Sequence, residues 1–123
     1  MTIAKDVMGG GFSAGQAQAL GGTVAMTVSA AGSTISDATA LTASNNYVTT
    51  VASGAGVILP NGVIGDAVQI YNAGANPLKV YPPNSGSQKI APLAAAAAVL
   101  CPTNTMMGFY KWSSTQWVAE LSA

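Results

Sequence analysis

The stretch Ala67-Val68-Gln69-Ile70-Tyr71-Asn72 sets the fold class. Val68 and Ile70 share one face of an extended segment, and Gln69 and Tyr71 share the other. On both sides of it, short segments of the same kind recur between turn signals spaced about 8–12 residues apart. Strands are expected near residues 23–28, 34–41, 47–51, 56–59, 67–71, 78–81, 97–100, 106–112 and 117–121. Asn61-Gly62 and Ala31-Gly32 allow positive φ, and the run from Asn72 to Pro77 reads as a tight reversal. Pro82-Pro83-Asn84-Ser85-Gly86 breaks any strand, and Trp112 to Trp117 reads as a hairpin. The alanine run Ala94–Ala98 is ambiguous. Its propensity favours helix, whereas Pro92 and Pro102 favour an extended segment or a single turn. No fixed-period repeat stands out. The expected fold is all-β, a small β-sandwich or jelly-roll-like barrel of about 8–9 short strands.

The same alternation selects a core of Val48, Val51, Val57, Leu59, Val68, Ile70, Val80, Leu100, Phe109 and Val118. In the last hairpin, Phe109 and Lys111 should face opposite to Tyr110 and Trp112, and Val118 and Glu120 opposite to Trp117 and Ala119. Cys101 reads as a small buried hydrophobe. Tyr71, Tyr81, Tyr110, Trp112 and Trp117 have two readings, as core and hairpin packing or as a sugar-stacking platform.

Residues 1–22 differ from the β-domain expected over residues 23–123. Gly9-Gly10-Gly11 sets off a short arm from the rest of the chain, Ser13 can cap a brief helix over Ala14–Leu20, and Gly21-Gly22 ends it. Two turns of helix do not stand alone in water. The arm must therefore lie on its own domain, a sister subunit or a partner.

Composition excludes several function classes. Four basic and four acidic residues give a formal net charge of +0, with no His. There is no basic footprint for nucleic acid and no imidazole for a His-dependent catalytic site. The single Cys supports neither a zinc site nor an internal disulfide. The acids Asp6, Asp37, Asp66 and Glu120 fit turns and solubility better than a glycosidase pair. Gly9, Gly10, Gly11 and Gly15 lack the Lys-Ser/Thr of a phosphate loop. Neither an enzyme nor a cofactor is expected. The longest apolar run, Leu93–Cys101, is bounded by prolines and falls well short of the roughly 20 residues of a bilayer span. No apolar signal region is evident near the N-terminus, so no membrane partner is expected. The 7% charged fraction is far below the usual figure of about 25%. A surface with so few charges suits a protein covered by partners.

Three stretches carry a family resemblance: NNYVTTVASGAGVILPN (45–61), GDAVQIYNAGANPLKVYPP (65–83) and STQWVA (114–119). With FSAGQAQALGG (12–22), they make the chain resemble small virion proteins of tailed bacteriophages, of the head decoration, cement or head-fibre type. Residues 12–123 take part. The chain departs from that pattern at Lys89-Ile90-Ala91-Pro92. The resemblance implies a structural protein on the outer surface of the capsid, bound to the major capsid protein. It also implies a homotrimer, since capsid symmetry axes are threefold and sixfold. The apolar arm residues Ile3, Val7, Met8, Phe12 and Leu20 are then the expected capsid-docking anchors. The alternative is a host-receptor or carbohydrate-binding module of a phage tail or fibre. In that case the aromatic residues should gather on one exposed loop face.

Overall fold

The computed structural model describes residues 23–121; the arm and helix expected over residues 1–22 lie outside the described residues. Ten strands run in the order β1 (Val24–Ser29), β2 (Thr39–Ala40), β3 (Asn45–Thr50), β4 (Gly56–Ile58), β5 (Ala67–Asn72), β6 (Leu78–Tyr81), β7 (Lys89–Ala91), β8 (Val99–Cys101), β9 (Thr105–Lys111) and β10 (Gln116–Leu121). The protein is all-β, and no helix occurs among the described residues.

The strands form a six-stranded sheet, β1-β3-β5-β9-β10-β7, and a four-stranded sheet, β2-β4-β6-β8. From β1 to β6 the chain alternates between the two. Within each sheet, successive strands of this part pair in parallel: β1 with β3, β3 with β5, β2 with β4, and β4 with β6. The chain therefore winds as a β-solenoid of three coils, which corrects the sandwich or jelly-roll expectation. Two sheets do enclose one core, but coils stack where hairpins and Greek keys were expected. In the ladder, Val24 lies beside Asn45 and Asn45 beside Gln69, steps of 21 and 24 residues. In the smaller sheet, Thr39 lies beside Val57 and Val57 beside Val80, steps of 18 and 23. Unequal steps hide the repeat from a fixed-period reading.

The winding then ends. β8 runs antiparallel to β6, β9 antiparallel to β5, and β10 antiparallel to β9. β7 adds to the outer side of β10, parallel to it. The segment Lys89-Ile90-Ala91 is thus a strand, and Ile90 is fully buried. No strand was expected there, because three residues are too few to show alternation.

Inward residues of both sheets make one core, with Val48, Val57, Ile70, Val80, Phe109 and Trp117 all fully buried. Two core expectations need correction. Leu100 is 56% exposed, because β8 turns Val99 and Cys101 inward. Val118 is only half-buried, because Trp117 takes the inward position on β10. On β10 the larger of the two neighbouring apolar side chains takes the core position. The strand expected over residues 34–41 shrinks to Thr39–Ala40, since Asp37 closes a turn with Ser33 and Thr34. The alanine run forms a turn, with Ala97 N donating to Ala94 O and Ala96 at φ 64°.

Buried asparagine ties the coils together. Asn72 Nδ2 donates to Asn76 O at 2.9 Å and to Cys101 O at 3.0 Å, while its Oδ1 accepts from Gly74 N. Asn76 Nδ2 in turn donates to Val51 O in the preceding coil. At Gly56 the coils approach so closely that a Cβ would lie 2.8 Å from Lys79 O, so a larger residue there would force them apart.

Candidate functional site

With Val48, Val68, Ile70, Met107 and Phe109 turned to the core, the alternating residues of the six-stranded sheet must face outward. Register then builds the outer face row by row. Tyr47 lies beside Tyr71, and Tyr71 beside Met106. Met26 sits at the β1 end of the same row, next in the chain after Ala25, whose ladder partner is Asn46. The adjoining row runs through Asn45, Gln69, Gly108 and Glu120. A shallow groove between Val24, Met26, Tyr47, Tyr71 and Met106 results. It continues past Gly108 to Tyr110 and Glu120. Gly108 leaves room for the Tyr110 side chain, whose hydroxyl would lie 3.0 Å from a Cβ at that position.

The Tyr47 and Tyr71 rings stack with centroids 5.2 Å apart and planes 13° from parallel. Each ring covers one face of the other, and Met26 and Met106 line the same groove beside the pair. Among the residues that line this surface, Glu120 is the one charged side chain. Apolar contact with another macromolecule is the chemistry such a face supports.

The opposite end of the sheet holds a buried polar cluster. Lys111, 7% exposed, donates from Nζ to Asn61 O at 2.7 Å and to Gly62 O at 3.3 Å. The same Nζ lies 5.8 Å from the centre of the Trp117 ring. Asn61 Oδ1 accepts from Ser85 Oγ and Gln88 Nε2. The alternation correctly turned Lys111 inward with Phe109, but a carbonyl-capping role for it had no sequence signal. Beyond this cluster Val63, Ile64 and Trp112 are exposed, Trp112 to 71%. Gly65 N donates to Lys111 O and Lys111 N to Asp66 O, which holds this turn beside the hairpin.

The remaining chemical candidates are structural in their contacts. Asp37 Oδ1 accepts from Thr34 N, Ser33 N and Thr34 Oγ1 at 2.8–3.0 Å. The Thr34 backbone N–H, then that of Ser33, holds its carboxyl below the ordinary value. Asp66 Oδ2 accepts from Val63 N. Burial pushes the Cys101 thiol up. No group of three or more His, Cys, Asp or Glu that could hold a metal occurs among the described residues.

The five aromatic residues singled out from the sequence do not share one site. Trp117 and Tyr81 are buried, Tyr71 and Tyr110 lie on the sheet face, and Trp112 lies on the hairpin. Tyr47 and Met26 were missed as surface residues, although Val48 inside implies Tyr47 outside. The expected docking anchors Ile3, Val7, Met8, Phe12 and Leu20 lie outside the described residues. No family model, curated protein or solved structure matches the chain.

Proposed function

We propose that this protein is a structural component of a bacteriophage virion, a decoration or cement protein on the outer surface of the head. Its partner would be the major capsid protein, and its work would be the burial of surface. One observation carries the reading: the groove over β1, β3, β5 and β9 on the outer face of the six-stranded sheet is lined by Met26, Tyr47, Tyr71, Met106 and Tyr110 beside the amides of Asn45 and Gln69, with Glu120 as the one charge among its lining residues. Burial stabilises by about 25 cal/mol per Å² of apolar surface, and a face with so few charges loses little ion hydration in the process. The resemblance in residues 45–61 and 65–83 supplies the virion context. Ile3, Val7, Met8, Phe12 and Leu20 are the proposed anchors to the shell. Electron microscopy of the virion is the test, with density for this chain expected on the outside of the head. Its absence from purified virions, or its confinement to the tail, overturns the reading. Ile3, Val7 and Met8 are tested by deleting residues 1–10: the shortened chain should stay folded but no longer bind heads that lack the native protein.

A second reading, a receptor- or carbohydrate-binding module of a tail or fibre, has one observation in its favour. Trp112 offers an exposed indole on the hairpin, next to the turn that carries Val63 and Ile64. Loss of cell or glycan binding in Trp112→Ala, with the fold intact, would support it.

A further inference from the structure

Asn61-Gly62 is the one asparagine–glycine pair in the sequence. Asparagine before glycine is chemically labile. The glycine nitrogen carries no side chain to hinder its approach to the asparagine side-chain carbonyl. Here the fold also surrounds the pair with groups that suit the reaction. Asn61 is exposed, so water reaches it. The hydrogen bonds of its amide fall on the oxygen: Oδ1 accepts from Ser85 Oγ at 2.9 Å and from Gln88 Nε2 at 3.5 Å. Its backbone oxygen accepts from Lys111 Nζ at 2.7 Å.

Gly62 bends the chain at φ 59°, and its N–H donates to no backbone acceptor among the described residues. Asp66 Oδ2 accepts from Val63 N at 2.9 Å and lies against Gly62, 2.7 Å from where a Cβ would stand. A carboxylate, a hydroxyl and an ammonium thus converge on one asparagine–glycine bond. Other asparagines are tied differently. Asn72 and Asn76 donate from Nδ2 to backbone carbonyls, and Asn76 precedes Pro77, which has no N–H.

We propose that Asn61-Gly62 is a self-modifying site, at which the fold speeds closure of Asn61 to a succinimide that water then opens to aspartate or isoaspartate. Gly62 N attacks Asn61 Cγ. Its proton passes to the Asp66 carboxylate and on to the departing nitrogen. The N–Cγ bond forms, the Cγ–Nδ2 bond breaks, and ammonia leaves. Water adds to either ring carbonyl and the ring opens, with no change of oxidation state. Lys111, on the oxygen of the same peptide unit, stabilises the negative charge gained as Gly62 N loses its proton. Ser85 and Gln88 stabilise the oxyanion that develops on Oδ1. The product places a new carboxylate in the Lys111 cluster, and the isoaspartate form also lengthens the backbone before β5. The site does not depend on where the protein resides.

Peptide mapping by mass spectrometry tests this on the purified full chain, incubated at mildly alkaline pH. Asn61 should convert faster in the folded chain than in the same chain in guanidinium chloride. Asn84, exposed and outside the cluster, should convert no faster when folded. Ser85→Ala removes one oxyanion donor at an exposed position and should slow Asn61 conversion about fivefold. Ser85→Thr keeps the hydroxyl and should retain the rate, with circular dichroism checking the strand content of both variants. The proposal is overturned if Asn61 converts no faster when folded, or if Asn84 shares the gain. Cleavage of the Asn61–Gly62 bond in place of the succinimide, or a rate indifferent to Ser85→Ala, overturns it as well.

Discussion

Trp117 Nε1 donates to Gln88 Oε1 at 3.0 Å with both side chains buried, so the largest core residue is oriented by an amide just before the shortest strand of its sheet. The bond fastens the β7 edge to β10. Lys111 Nζ lies against the same indole and donates to the carbonyls of Asn61 and Gly62. Hairpin, edge strand and the turn before β5 therefore share one polar cluster.

Gln88→Ala leaves the indole N–H without its acceptor in a dry site and should cost about 1–3 kcal/mol. Lys111→Met leaves two carbonyls short of a donor and should cost a similar amount, whereas Lys89→Met, at an exposed position, should stay within about 0.5 kcal/mol. Denaturant unfolding followed by tryptophan fluorescence measures all three. The double variant Gln88→Ala/Lys111→Met should be non-additive, since both residues act through Trp117 and Asn61.

The register of β8 can be checked by a pair of truncations. Val80→Ala empties a fully buried position and should cost about 1–3 kcal/mol. Leu100→Ala, exposed in the structure, should change stability by about 0.5 kcal/mol or less. Equal losses at the two positions would mean that β8 is turned the other way.

Asp37 makes the first coil sensitive to acid. Backbone N–H groups of Thr34 and Ser33 favour its charged form, so its folded pKa lies below its unfolded value. A depressed carboxyl contributes stability above the unfolded value and loses it as pH falls through the folded one. Thermal midpoints should therefore fall as pH drops below about 4. In Asp37→Asn, which starts less stable at neutral pH, that part of the slope should vanish.

Cys101 should react slowly while the protein is folded. Burial disfavours its thiolate, the nucleophilic form, and the side chain has no exposed surface. Alkylation by iodoacetamide at pH 8 should be far slower in buffer than in denaturant. Its rate in buffer should track global unfolding. Because the folded thiol pKa is raised, the associated stability is present below the unfolded value and declines as pH rises past it.

Alternation along single strands was legible without any fold. Val68 and Ile70 inside, Gln69 and Tyr71 outside, and Phe109 with Lys111 inward all result from a two-residue period. The turns at Asn61-Gly62 and Asn72–Pro77 were legible too, because glycine, proline and asparagine constrain the backbone locally. Partner choice was not. A strand such as Val24–Ser29 alternates in the same way whether its neighbour runs parallel or antiparallel, and the neighbour here is 21 residues away. Coil steps of 18 to 24 residues left no period to detect. Where two faces of a strand were both apolar, as at Trp117 and Val118 or Leu100 and Cys101, only packing could choose between them. The tyrosine row across β3 and β5 was likewise a product of register, a long-range property that sets Tyr47 beside Tyr71 once the coils are stacked. Local sequence dictates which segments extend and where they turn. Tertiary structure selects which of them meet, because the free energy of pairing and burial belongs to contacts between segments rather than to any one of them.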